Sequence, residues 1–254
     1  MEVTFLGTGT SQGIPILGSD HPVCKSTNSK DKRLRVSVLL SWDNFNYVID
    51  CGPDFRQQML REDVKHINGI LLTHEHSDHT AGIDDIRPYY FKQGNIPFYA
   101  EKMVFKALHQ RFAYIFETQN KYPGAPTIEE IEINENSNFV IGEKNVTAIR
   151  AFHDSLPVLG FKFEDFTYLT DVKTISDSEI EKIKNTKVLV INALREEPHY
   201  SHFNLSEALE FIEKVNPGIA YLTHISHLLG FHEEVEKKLP ENVFLSFDKL
   251  KITI

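Results

Sequence analysis

"LLTHEHSDHTAG", residues 71–82, sets His74, His76, Asp78 and His79 within six positions directly behind an apolar run. Burying that many polar groups in a packed core costs free energy unless each finds a partner. A solvated loop has no use for imidazoles at so regular a spacing. Metal ligation accounts for the pattern, and the rest of the ligand set must come from elsewhere in the chain.

Further candidates share one kind of position. His74 to His79 follow "GILLT", His153 closes "VTAIRAF", Asp171 closes "FTYLT" and His224 closes "IAYLT". Each run is rich in β-branched or aromatic residues and reads as a strand. Side chains at the ends of several strands converge on one rim from rigid elements, as a preorganised site requires. His74, His76, Asp78, His79, His153, Asp171 and His224 make seven donors, too many for one tetrahedral site with an open position. Two metals about 3.5–4 Å apart would use them all, with one carboxylate bridging. Imidazole and carboxylate without thiolate suit zinc, manganese or iron alike.

Beyond the runs 69–74, 145–152, 166–171 and 219–224, strand signals cover 2–7, 36–42, 46–51, 96–100, 159–164, 187–193, 243–247 and 250–254. Asp43 and Asn44 supply the turn of a hairpin at 41–46. Helical patterns cover 54–62, 102–116, 176–185, 204–215 and 232–239. In 204–215, Asn204 is placed to cap the helix, with Glu207 three residues on. Leu205, Ala208, Leu209, Ile212 and Val215 make its apolar face. No repeat or low-complexity linker interrupts residues 1–254, which predicts one domain of α/β (α+β) class, two sheets covered by helices in an αββα sandwich. Periodicity alone does not exclude a doubly wound sheet.

Composition narrows the class. The 254 residues are 41% hydrophobic and 25% charged, ordinary for a globular protein. "MEVTFLGTGT" reads as a strand rather than a signal peptide, no run approaches a membrane span, and two cysteines fit a cytoplasmic setting. A net charge of −9 argues against a dedicated nucleic-acid binder. The basic stretch "KSTNSKDKRLR" (25–35) reads as a solvated loop ahead of a strand. Gly7, Gly9 and Gly13 lack dinucleotide-binding spacing and are assigned to tight turns near the metal rim.

"THEHSDH" matches the HxHxDH motif of the metallo-β-lactamase superfamily, which the chain resembles over essentially its whole length. The resemblance implies the αββα fold. It also implies His74, His76 and His153 on one metal, Asp78, His79 and His224 on the other, and Asp171 between them. Asp50, ending "YVID", matches the family's acid that orients ligand imidazoles, or else simply starts the turn "DCGPD".

Within the superfamily, "FLGTGTSQGIPILG" (5–18), "LREEPHYSHFNLSEAL" (194–209) and "LTHISH" (222–227) resemble the phosphoribosyl 1,2-cyclic phosphate phosphodiesterase branch. That branch implies a role for His202 at the substrate phosphate or leaving group, and the helix start behind it is a natural anion site. Members commonly carry three cysteines near 18–26 that hold a structural zinc. Here Ser19 and His21 stand at the first two of those positions, leaving His21, Cys24 and His227, with Asp20 or water, either to bind zinc or merely to pack.

The expected reaction is hydrolysis of a small cyclic ribose phosphodiester by hydroxide bridging two zinc or manganese ions. Asp78 would act as an ionised ligand and His202 as proton donor or phosphate contact. A tRNA 3′-processing endonuclease, a lactone or thioester hydrolase and a non-catalytic metal-binding scaffold are the alternatives. A homodimer would show as an exposed apolar patch.

Overall fold

The computed structural model describes residues 1–254. The N-terminal half supplies β1 (Glu2–Gly7), β2 (Ser37–Trp42), β3 (Phe45–Ile49), β4 (Gly69–Leu71), β5 (Ile96–Ala100) and β6 (Ile128–Glu132). The C-terminal half supplies β7 (Asn138–Ile141), β8 (Lys144–His153), β9 (Leu156–Phe163), β10 (Phe166–Tyr168), β11 (Val188–Asn192), β12 (Ile219–Thr223) and β13 (Val243–Leu245). The last strand, β14 (Lys251–Thr253), returns to the first sheet. Two seven-stranded sheets result, ordered β14-β1-β2-β3-β4-β5-β6 and β13-β12-β11-β10-β9-β8-β7. A doubly wound single sheet is thereby excluded.

Three separate apolar clusters define the layers. Between the sheets, Val3, Phe5, Val38 and Leu40 face Ala148, Leu159, Phe161 and Tyr168. On the outer face of the first sheet, Val48, Ile70 and Phe98 pack against Phe55 and Met59 of the helix Phe55–Arg61 and Val104 and Leu108 of the helix Lys102–Arg111. On the outer face of the second, Leu189, Ile191 and Leu222 pack against Ile180, Ala208 and Ile212 from the helices Asp177–Ile183 and Leu205–Val215. Strands covered on both faces read as continuous apolar runs, as in the fully buried "VLVIN" of β11.

Local chemistry explains the boundaries. The Asn204 side chain accepts from the Glu207 N–H and the Glu207 carboxylate accepts from the Asn204 N–H, both at 2.9 Å, the reciprocal box expected there. Asn216, in left-handed backbone at φ 53°, ends that helix. The single helix expected over 102–116 breaks at Phe112 (φ −123°, ψ 41°), so that Ala113–Phe116 turns Ile115 into the core. Two strands and a helix escape sequence periodicity for physical reasons. β6 ("IEEIE") is an edge strand whose outward glutamates protect the sheet. β7 ("NFVI") is the opposite edge and buries only Ile141. The helix Arg87–Gln93 buries none of its residues and so has no apolar stripe to read. No helix is long and apolar enough to cross a membrane.

The basic stretch 25–35 departs from its expected solvated state. Arg33 is 3% exposed. Its guanidinium donates to the Thr8 hydroxyl (2.8 Å), the Ser246 carbonyl (2.5 Å) and His232 Nδ1 (3.1 Å). Asp248 joins by accepting from Thr8 Oγ1 and the Leu34 N–H, and Asp31 accepts from the His232 N–H. The Thr8 hydroxyl, the Ser246 carbonyl and His232 hold this cation, and the nearby Asp248, Asp31 and Glu236 carboxylates offset part of its desolvation, an arrangement that periodicity cannot foresee.

Because Arg33 donates to Nδ1, the His232 ring must stay neutral, and burial together with Arg33 holds its pKa down to about 4. The unfolded imidazole takes up a proton below about pH 6.5, whereas the folded one does so only near 4. This contribution to stability is therefore complete above pH 6.5 and lost as pH falls through that window, by about 2–3 kcal/mol in all. His232→Asn retains an acceptor for Arg33 but does not titrate. In urea unfolding, the wild type should lose that much more stability than the variant between pH 7.5 and 4; parallel losses would refute the neutral-ring assignment.

Candidate metal centre

β4 ends at Leu71, three residues earlier than the sequence signal, and the chain leaves the sheet to carry Thr73 and His74 into the interior. The motif loop then packs against residues 50–52. The Cys51 N–H donates to the His79 carbonyl, and the Gly82 N–H to the Cys51 carbonyl, both at 2.8 Å. A Cβ on Gly52 would lie 1.9 Å from the Asp78 carbonyl oxygen, so only glycine permits this approach.

Asp50, wholly buried, organises the histidines rather than merely starting a turn. Its carboxylate accepts from the Thr73 N–H (2.9 Å), from the Thr73 hydroxyl (2.9 Å) and from His79 Nδ1 (2.6 Å). With its proton given to Asp50, the Thr73 hydroxyl can only accept from His74 Nδ1, 3.0 Å away. His153 Nδ1 likewise donates to the Ser201 carbonyl at 2.7 Å. Three rings are thus held through Nδ1 with Nε2 left bare, the arrangement that outer hydrogen bonds impose on ligating histidines.

Asp171 sits among these nitrogens, with carboxylate oxygens 3.2 Å from His79 Nε2 and 3.2 Å from His224 Nε2. Asp78 Oδ2 lies 3.3 Å from His79 Nε2 and 3.7 Å from His224 Nε2. The His74, His76 and His153 rings complete the cluster, with centroids 4.6 Å (His74–His76) and 5.3 Å (His76–His153) apart. Burial alone would push the Asp171 carboxyl up, but His224 and His79 outweigh it and hold it well below the usual range. Burial drives His74 well down, keeping it neutral. Asp50 (φ 63°), Asp171 (φ 57°) and His224 (φ 54°) all adopt left-handed backbone, a concentration of strain typical of functional sites.

This donor set fits divalent cations. His74 Nε2, His79 Nε2 and His224 Nε2 are buried without a hydrogen-bond partner, a cost that bound cations would remove. Groups of donor atoms within 4.8 Å of one another include His74/His79/Asp171, Asp78/His79/His224 and His153/Asp171/His202. His202 therefore lies deeper among the donors than a residue facing substrate alone. Its Nδ1 is 3.7 Å from Asp171 Oδ1, and burial pushes its pKa down to about 2. The helix start behind it does not offer the expected anion site, because Glu207 already places its own carboxylate there, paired to Lys173 at 2.7 Å.

A cavity of about 310 Å³ opens onto the cluster, walled by Thr10 and Ser11 of the glycine-rich N-terminal loop on one side and by His199, Tyr200 and His202 on the other. Gly13 (φ 63°) makes the tight turn in that loop, as expected. A second cavity of about 370 Å³, bordered by Met59, Leu60 and Tyr89, contains none of these donors. Thr73, Ser201 and His199 were not recognised in the sequence. Only the spacing of "HYSH" hinted at the last two.

The cysteine-poor loop does not form a closed ligand set. His21 and His227 rings are edge-on at 4.8 Å, and His227 Nδ1 is buried without a partner. However, His21 Nδ1 accepts from the Val23 N–H at 3.3 Å as a helix cap. Asp20 turns to Lys25 at the surface, at 2.7 Å, and no group of three donor atoms within 4.8 Å includes Cys24.

Residues 45–225 match the family model of the beta-lactamase superfamily domain. A crystal structure of "a new diphosphatase from the PhnP family" superposes with a TM-score of 0.93 at 34% identity, covering 100% of this chain and 97% of that one. A Porphyromonas gingivalis protein named octanoyltransferase is 36% identical over 256 residues, covering 100% of this chain and 52% of the relative. Ribonuclease Z of Bacillus subtilis is 28% identical over 173 residues, 65% of this chain and 49% of the enzyme. The chain spans about half the length of these two curated relatives.

Proposed function

We propose, since this chain belongs to the metallo-β-lactamase superfamily, that it is a metal-dependent hydrolase of a small phosphodiester, a cyclic ribose phosphate in the first instance. The observation carrying this reading is that His76, Asp78, His153, Asp171 and His224 line one small polar cavity, with His74 and His79 buried directly behind them and Nε2 of His74, His79 and His224 without a partner. In this reading His74, His76 and His153 hold one cation, Asp78, His79 and His224 hold the other, and Asp171 serves both. Two divalent ions, zinc or manganese, would supply an activated water and neutralise phosphoryl charge. Asp50 and Thr73 keep the imidazoles in the ligating tautomer, and the Ser201 carbonyl does the same for His153. In this reading His202, a neutral ring lining the cavity 3.7 Å from Asp171, contacts the phosphoryl group as the leaving sugar oxygen departs.

The ribonuclease Z relative supports a second reading, cleavage of precursor RNA. A net charge of −9 disfavours it, since a long polyanion is gripped by many cations. The octanoyltransferase name does not carry over: an eight-carbon chain needs an apolar slot, and Leu194 and Tyr200 are the only apolar side chains lining this cavity.

Metal analysis followed by chelation and reloading with zinc or manganese tests the proposal. The reloaded protein should hold two ions per chain and hydrolyse phosphoribosyl 1,2-cyclic phosphate, and His202→Gln should lower kcat by about 10²-fold or more. Turnover of precursor tRNA alone, or of lactones and thioesters alone, would replace this reading with the corresponding alternative. Two bound ions with no turnover of any of them would point to a scaffold.

A further inference from the structure

His199 stands at the cavity mouth, outside every donor group within metal-binding distance. Its Nδ1 accepts from the Ser201 backbone N–H at 3.3 Å and lies 3.2 Å from the Ser201 hydroxyl. An imidazole nitrogen that accepts from an amide carries no proton, so the neutral ring must carry its proton on Nε2. No protein group bonds that Nε2–H. The ring is packed on two sides, by Tyr200 (centroids 4.6 Å, planes at 32°) and by His202 (5.1 Å, 35°).

The segment bearing it is also tied down. The Arg195 guanidinium donates to the carbonyls of Glu197 and Pro198, Asn204 Nδ2 to the Glu196 carbonyl, and the Leu194 N–H to the Phe203 carbonyl. Ser201, which orients His199 through its N–H, orients the metal-site ring of His153 through its carbonyl. A donor held this firmly and left without an acceptor is preorganised for one that arrives with a ligand.

We propose that His199 is a further substrate-binding residue, an uncharged donor whose Nε2–H meets an oxygen of the phosphorylated substrate on the outer side of the cavity. This inference rests on the phosphodiesterase reading for the identity of the acceptor. The exposed Tyr200 ring lies against its outer side.

Two amide substitutions separate this role from a structural one. His199→Asn puts an amide oxygen where Nδ1 accepts from Ser201 but has no donor reaching the Nε2 position. His199→Gln carries an amide N–H to that position but surrenders the Ser201 acceptor. The probes are inorganic phosphate, titrated calorimetrically into metal-loaded protein, and steady-state hydrolysis of the cyclic phosphate. His199→Asn should weaken phosphate binding and raise KM about tenfold to hundredfold, with kcat changed far less and metal content unchanged. His199→Gln, which keeps the donor but loses the Ser201 contact, should recover most of the binding and KM lost in His199→Asn. The reverse order would overturn the proposal and make the ring a buttress for Ser201, as would equal impairment of both variants or impairment of neither. Should the wild type hydrolyse no phosphodiester yet show the Asn/Gln contrast in phosphate binding, the phosphodiesterase reading alone falls. Intact hydrolysis without the contrast removes only His199.

Discussion

Asp171→Asn should cut kcat/KM by about 10³-fold or more and lower the bound metal from two ions toward one, while the protein stays folded. The exchange is isosteric, and an amide oxygen can still accept from the Thr170 hydroxyl, which lies 2.7 Å from the carboxylate. What disappears is the negative charge placed 3.2 Å from Nε2 of both His79 and His224, in a position only 2% exposed. A neutral oxygen there cannot offset two cations, and about 4 kcal/mol of lost stabilisation already corresponds to that rate effect. Metal content by mass spectrometry, the far-ultraviolet circular dichroism spectrum and turnover measured on one preparation decide the matter. Two retained ions and near wild-type turnover would show that Asp171 does not serve both metals.

Arg33→Met should destabilise the protein by about 3–5 kcal/mol, the usual consequence of removing one member of a buried charged network. Methionine fills a similar volume, so the loss is electrostatic rather than a cavity effect. The Ser246 carbonyl and the Thr8 hydroxyl lose their donor. Burial already raises the Asp248 carboxyl, and losing Arg33 removes one of the charges that oppose it. The segment Thr8–Thr10 runs from this network to the cavity wall, so the same variant should also lower activity modestly. For a chain of 254 residues the thermal midpoint should fall by about 10 °C. A loss under about 1 kcal/mol would mean that water replaces the guanidinium at little cost.

Several features of the site were legible in residue order. Histidine and aspartate directly behind apolar runs mark strand ends, and four such ends supplied seven donors before any contact was known. The capping box at Asn204 and Glu207 is equally local, and it formed as expected. The misses have physical causes. β6 hides behind glutamates because an edge strand gains from charge, and the helix Arg87–Gln93 buries nothing that would give it a period. The helix start behind His202 looked ready for an anion, yet Glu207, itself part of the cap, fills that role. Arg33 looked solvated because its partners are 25 to 213 residues away.

The sequence by itself determined an α/β class with strands and helices along the whole chain, and the chemistry of the donors, because strand signals, capping and ligand type are properties of neighbouring residues; the division into two sheets came from the strand pairing. Tertiary structure decided which nitrogens are free. Asp50 reaches His79 across 29 positions, Thr73 relays the same carboxylate to His74, and the Ser201 carbonyl meets His153 across 48. It likewise set His199 with its Nε2–H unpaired and left Cys24 outside a closed ligand set. Hydrogen-bond direction depends on distances of about 3 Å between groups remote in sequence, and only the packed fold sets those distances.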